Sequence, residues 1–189
     1  MTDILKPPIS VEQYLEFELT AEHRHEYVDG NLIQMPGESK NANRICRNLI
    51  RLTDDILFEQ NLEIFFEDVK ARTSERRFRY PDFMIVPIGE EEDPYVVDNP
   101  VLLAEIVSPG SERTDHTTKL IEYANIPGLR YYLVIEQESP VVLIYRFSDG
   151  RSEVTIVRGL EDELTISDLN LRVPLTDLYA RIAFPDTNH

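Results

Sequence analysis

The chain has 189 residues, 42% of them hydrophobic, which suits one compact domain over 1–189 with its core at about 10–182. Its formal net charge of −16 argues against strong non-specific attraction to nucleic acid at long range. No apolar run approaches transmembrane length, the first residues carry neither a basic start nor an apolar h-region, and the single Cys46 excludes an internal disulfide. A cytoplasmic protein with no membrane partner is the expectation, with Cys46 a packed small hydrophobe rather than a catalytic thiol.

In chain order, Ser10 followed by Gln13 predicts a capped helix through Leu19. His25 to Met35 carries Asp29-Gly30 between two β-prone runs, a hairpin signal. From Ser39 to Gln60, Ile45, Leu49, Leu52 and Ile56 recur at three- and four-residue intervals, with Leu57 beside the last, and predict a long amphipathic helix. Leu62 to Arg72 and Phe78 to Val86 read as strands paired around a turn at Thr73 to Arg77. The acidic stretch from Glu90 to Asn99 reads as a solvated loop, and Val101 to Val107 as a strand. Ser108-Pro109-Gly110-Ser111 breaks it, and Asp115 to Asn125 predicts a helix closed by Pro127-Gly128. Arg130 to Glu136, Val141 to Phe147 and Glu153 to Val157 complete the strands, and Leu175 to Ile182 the helices. The order is that of an α/β domain built on a mixed sheet.

Two strand-length apolar runs each hold one acid: Asp82 in Tyr80-Pro81-Asp82-Phe83-Met84-Ile85-Val86, and Glu105 in Leu102-Leu103-Ala104-Glu105-Ile106-Val107. Burying an ionised carboxylate costs several kcal/mol or more unless a cation or donors compensate it. Two such acids on neighbouring strands point to a divalent metal, and oxygen donors without cysteine or paired histidine favour Mg²⁺ or Mn²⁺ over zinc. Such an ion polarises a phosphoryl oxygen and acidifies water, as phosphodiester hydrolysis requires. The alternative for Asp82 is a strand-end carboxylate facing solvent or paired with an arginine. Lys119, four residues after Asp115, is either an i,i+4 ion pair or a cation beside the metal. Glu26 is either a third metal carboxylate or a surface hairpin residue. Arg72, Arg76, Arg77 and Arg79 either track a DNA backbone or solubilise a hairpin tip. The four histidines lack ligand spacing, and the glycines match no phosphate-cradling loop.

The ordered set Glu26-Tyr27-Val28-Asp29-Gly30, Tyr80-Pro81-Asp82, Glu105-Ile106-Val107-Ser108-Pro109, Asp115, Lys119, Tyr123 and Gly128 to Val134 resembles the bacterial putative restriction endonuclease family, within the PD-(D/E)XK nuclease superfamily. The resemblance spans about Ser10 to Leu178. It implies a restriction-endonuclease-like α/β fold, a central mixed sheet flanked by helices, and a Mg²⁺-dependent endonuclease acting on DNA. Asp82 and Glu105 match the motif acids, and the Ile106 carbonyl is the further ligand that the resemblance implies. Val107 stands where the superfamily has lysine, and Lys119 matches the substitute on the following helix. Glu26 matches the family's early glutamate. A homodimer suits cleavage of both strands. Two other functions are compatible with the residues: a catalytically inactive nuclease-fold interaction module, and a metal-dependent hydrolase of a small phosphorylated substrate.

Overall fold

The protein is described by a computed structural model over residues 8–89, 93–108, 113–148 and 150–184, with the backbone alone at 113–116. Outside the described residues lie Glu90, Glu91 and Glu92 of the acidic run, the break at Pro109-Gly110-Ser111, and the side chains of Asp115 and His116.

Helix α1 (Val11–Glu18) begins at a complete capping box, the Ser10 hydroxyl accepting from Gln13 N–H while the Gln13 side chain accepts from Ser10 N–H. Strands β1 (His25–Val28) and β2 (Asn31–Gln34) form the expected hairpin. Asp29 and Gly30 both take positive φ, 50° and 97°, as a two-residue turn of this hand demands. Helix α2 (Lys40–Phe58) is capped by Ser39 and lays Ile45, Leu49 and Leu57 into the core.

The long hairpin expected at Leu62–Val86 divides instead between two sheets. Its base, β3 (Leu62–Phe66) with β6 (Phe83–Pro87), belongs to one. Its tip, β4 (Lys70–Ser74) with β5 (Arg77–Arg79), belongs to the other. One arm bends where Glu67 adopts φ 57°. The other bends at Pro81, which has no N–H to give a ladder. This break sets Asp82 immediately before β6. A short β7 (Val96–Val97), within the segment expected to be a loop, runs parallel to β4.

Strands β8 (Leu102–Val107) and β9 (Tyr131–Glu136) pair in parallel, joined by helix α3 (Arg113–Tyr123). Strands β10 (Val141–Ser148) and β11 (Arg151–Arg158) extend the same sheet. Its order is β11-β10-β9-β8-β6-β3, mixed in sense as expected, and the second sheet runs β2-β1-β5-β4-β7. A further hairpin, β12 (Glu163–Ile166) and β13 (Leu171–Pro174), was not anticipated although Leu164, Ile166, Leu171 and Val173 alternate inward. The last helix, α4 (Leu175–Leu178), ends before the expected Ile182.

Strict alternation divides the six-stranded sheet between two cores. Phe83, Ile85, Leu102, Ala104, Leu133 and Ile135 face α2 and α4. Met84, Val86, Leu103, Tyr132 and Val134 face Tyr123 of α3. Glu105 shares the parity of Leu103 and so lies on the α3 face. Among the described residues no helix is long and apolar enough to cross a membrane.

Candidate active site

Asp82, Glu105, Lys119 and Glu26, far apart in sequence, line one cavity of about 380 Å³ between the two larger sheets. Asp82 precedes β6 and Glu105 stands within β8. Strand β6 pairs with β8 only as far as Phe83 opposite Ala104. Beyond that point the Asp82 side chain continues the ladder, its Oδ2 accepting from Ile106 N–H at 2.5 Å. The Val107 carbonyl accepts from Gln137 on the β9 side. Because N–H and C=O of one strand residue face the same way and alternate along the strand, the Ile106 carbonyl faces the Asp82 side.

Glu105 is held at both oxygens. Lys119 Nζ donates to Oε2 at 3.1 Å and the Tyr123 hydroxyl donates to Oε1 at 2.7 Å, both from α3. Burial nevertheless pushes its carboxyl up to about 7, with Lys119 opposing the rise and Asp82 adding to it. Asp82 is likewise pushed up to about 7 by burial, opposed by the Ile106 N–H. A third carboxyl, Glu38, shares a hydrogen bond with Asp82, and burial raises it too. Nothing periodic in Pro36-Gly37-Glu38-Ser39 marks Glu38 from sequence.

Glu26 is buried, and both of its oxygens meet cations. Its Oε2 accepts from Arg79 at 2.7 Å and its Oε1 lies 3.4 Å from Lys119 Nζ. Glu26 therefore stands against Lys119 inside the fold and is not a surface hairpin residue. Arg79 is 3% exposed, so its expected contact with a DNA backbone does not hold. Its guanidinium also donates to both oxygens of Glu122, 3.0 Å from Oε1 and 2.8 Å from Oε2. Burial works against the charge of Arg79, but Glu122 and Glu26 outweigh it and raise its pKa. Arg77 is bound to Asp29 at 2.6 Å and Glu122 at 3.3 Å, and Arg72 to Asp98 at 2.6 Å. Arg76 is exposed at the hairpin tip. Sequence reasoning passed over Glu122, although it lies one helical turn from Lys119.

Cys46 is buried, donates to the Asp82 carbonyl at 3.3 Å, and has its thiol pushed up to about 12 by burial. A packed, unreactive residue fits those facts.

The donor set suits a hard dication. Among the described residues no three His, Cys, Asp or Glu side chains are grouped so as to hold a metal ion by themselves. Two adjacent carboxylates and a carbonyl, with water or phosphate completing the shell, are the incomplete cage that Mg²⁺ accepts. Burial raises both carboxyls to about 7, and a cation held between them would oppose that rise.

Comparison with known proteins agrees with this architecture. A crystal structure of a putative nuclease belonging to DUF820 from Anabaena variabilis superposes with a TM-score of 0.77, covering 93% of this chain and 100% of that one at 18% identity. The fold is accordingly restriction-endonuclease-like. Two uncharacterized proteins of Synechocystis sp. are similar in sequence. One, sll1609, is 32% identical over 68% of this chain and 75% of its own length. The other, slr1290, is 27% identical over 94% of this chain and 95% of its own. A family model matches residues 11–176, and the chain belongs to that family, Uma2, described as "Putative restriction endonuclease".

Proposed function

We propose that the chain is a Mg²⁺- or Mn²⁺-dependent endonuclease that hydrolyses phosphodiester bonds of DNA, a member of the PD-(D/E)XK group. The observation that carries this reading is the meeting of Asp82, Glu105 and the Lys119 ammonium in one cavity, where both carboxyls are pushed up to about 7. Asp82, Glu105 and the Ile106 carbonyl would hold the ion. When bound, it supplies Lewis-acid polarisation of a phosphoryl oxygen and a water of lowered pKa.

The chain's own groups do the rest. Lys119, braced by Glu26 and Glu105, presents a fixed positive charge to a non-bridging phosphate oxygen and offsets the charge that develops there. Tyr123 fixes the rotamer of Glu105 by its hydrogen bond. Arg79 and Glu122 hold Glu26 from behind, so Lys119 is aimed before substrate arrives.

One observation favours a second reading, an inactive nuclease-fold interaction module: Lys119 bonds the Glu105 Oε2 that a metal would claim. Calorimetric titration with Mn²⁺ and a supercoiled-plasmid assay separate the two. The nuclease binds Mn²⁺ and nicks plasmid, and Glu105→Ala abolishes both. Metal binding without nicking points to a small phosphorylated substrate, and no binding at all leaves the interaction module.

A further inference from the structure

We infer that the phosphate backbone of the nucleic acid docks along one ridge of α2 rather than on the β4–β5 hairpin. The ridge is made of Lys40, Arg44, Arg47 and Arg51. The inference deepens the nuclease reading and rests on it.

The spacing of the four residues is helical. At 3.6 residues per turn they fall within about 60° of arc and span about 16 Å of axis, roughly the rise of five nucleotides of one strand. Lys40, Arg47 and Arg51 are exposed and Arg44 is half-buried. Its N-terminal end opens on the catalytic cavity. Glu38 and Ser39 line that cavity and also line the adjoining depression formed with Lys40, Arg44 and Arg47.

The two basic surfaces differ in how they are partnered. Arg72, Arg77 and Arg79 of the hairpin are each tied to carboxylates. Arg76 stands beside Glu75. On α2 the guanidinium of Arg44 bonds the neutral amide of Asn41 at 3.0 Å, and that of Arg47 the amide of Asn48 at 3.4 Å. Among the described residues none of the four ridge cations has an ion pair. Their positive charge is therefore still available to an external anion.

The placement also runs against the helix dipole. Cations are disfavoured near a helix N-terminus, yet the first turn of α2 contains Lys40 and no acid, while Asp54 and Asp55 stand near the C-terminus. A local rule broken in this way is expected where a ligand completes the arrangement. In a chain of charge −16, an unneutralised basic ridge ending at the catalytic cavity has the shape and sign of a track for a phosphodiester chain.

The test is binding of a fluorescent duplex to the whole chain in EDTA, measured as a function of salt. Arg44→Ala/Arg47→Ala is expected to weaken binding at least tenfold and to reduce the slope of log K against log salt by about two, close to 0.9 per lost phosphate contact. Arg151→Ala/Arg158→Ala on β11 is expected to change neither. Asp54→Asn/Asp55→Asn is expected to tighten binding, a gain that misfolding cannot mimic. The inference is overturned if Arg72→Ala/Arg76→Ala takes the slope instead, or if the unaltered chain binds no duplex. Binding with the expected slope but no Mn²⁺-dependent nicking would support the ridge and sink the catalytic reading.

Discussion

Arg79 organises the buried charges around the site. Its guanidinium meets two carboxylates, Glu26 and Glu122, which are 7% and 6% exposed. Glu122 also accepts from the Thr73 hydroxyl, and Glu26 passes the contact on to Lys119. Removing one partner from such a set is far more costly than the set is stabilising, because the remaining charges stay buried without compensation. Arg79→Ala is therefore expected to lower stability by about 3–5 kcal/mol. In a chain of this size that is roughly 10 °C or more in melting temperature. Arg76→Ala, on the exposed tip of the same hairpin, should stay within about 0.5 kcal/mol. Urea or thermal melts of the two variants check the contrast, and equal melting would show that the network does not bear on the fold. Arg79 also shows what composition hides. Five basic residues between Lys70 and Arg79 suggest a phosphate-binding surface, but only coordinates reveal which of them face inward.

At the scale of elements, local chemistry was the legible part. The Ser10 capping box, the Asp29-Gly30 turn and the apolar stripe of α2 were all readable from the sequence, since each is decided by residues within a few positions of one another. What was not legible is where a strand changes sheet. The runs around Leu62–Arg72 and Phe78–Val86 keep a strand pattern throughout, and only the bends at Glu67 and Pro81 send their halves to different layers. The acids of the site were visible because apolar residues surround Asp82 and Glu105. Glu38 and Glu122 were not, for they reach the site from a turn and a helix with no such contrast. The β1–β2 turn makes the local argument testable. A Cβ at Gly30, where φ is 97°, would collide with Pro8, whereas one at Gly128, φ 82°, would meet nothing within 4 Å. Gly30→Ala should therefore cost at least about 1 kcal/mol more than Gly128→Ala, by the clash added to a shared left-handed strain. Denaturant titration of both variants measures the difference, and parity would mean that the chain before α1 does not pack on the turn.

For the whole molecule, the site couples stability to pH and to metal. Asp82 and Glu105 titrate near their ordinary values of 3.8 and 4.5 when unfolded, but at about 7 when folded. Between those limits the folded chain binds more protons than the unfolded one, so these two groups make metal-free stability fall as pH rises from about 4 to 7. Above about 7 their contribution levels off, because both states are then ionised. Glu122 acts in the opposite sense. Burial raises it, but Arg79 and Thr73 more than offset that and leave it lowered, so its contribution is lost as pH falls below its ordinary range. The two trends are separated by comparing the chain with an Asp82→Asn/Glu105→Gln variant. In EDTA the variant should melt higher than the native sequence at about pH 8, by less at about pH 5, and close to it only below about pH 4, since the cost it removes vanishes only where the unfolded carboxyls are protonated too. Mn²⁺ must displace those protons to bind, so its stabilisation of the native sequence should be small at about pH 5 and grow through pH 7. In the variant it should be absent throughout. A Mn²⁺ shift of equal size at both pH values, or one that survives in the variant, would mean that the ion binds elsewhere and that the two buried acids serve the fold alone.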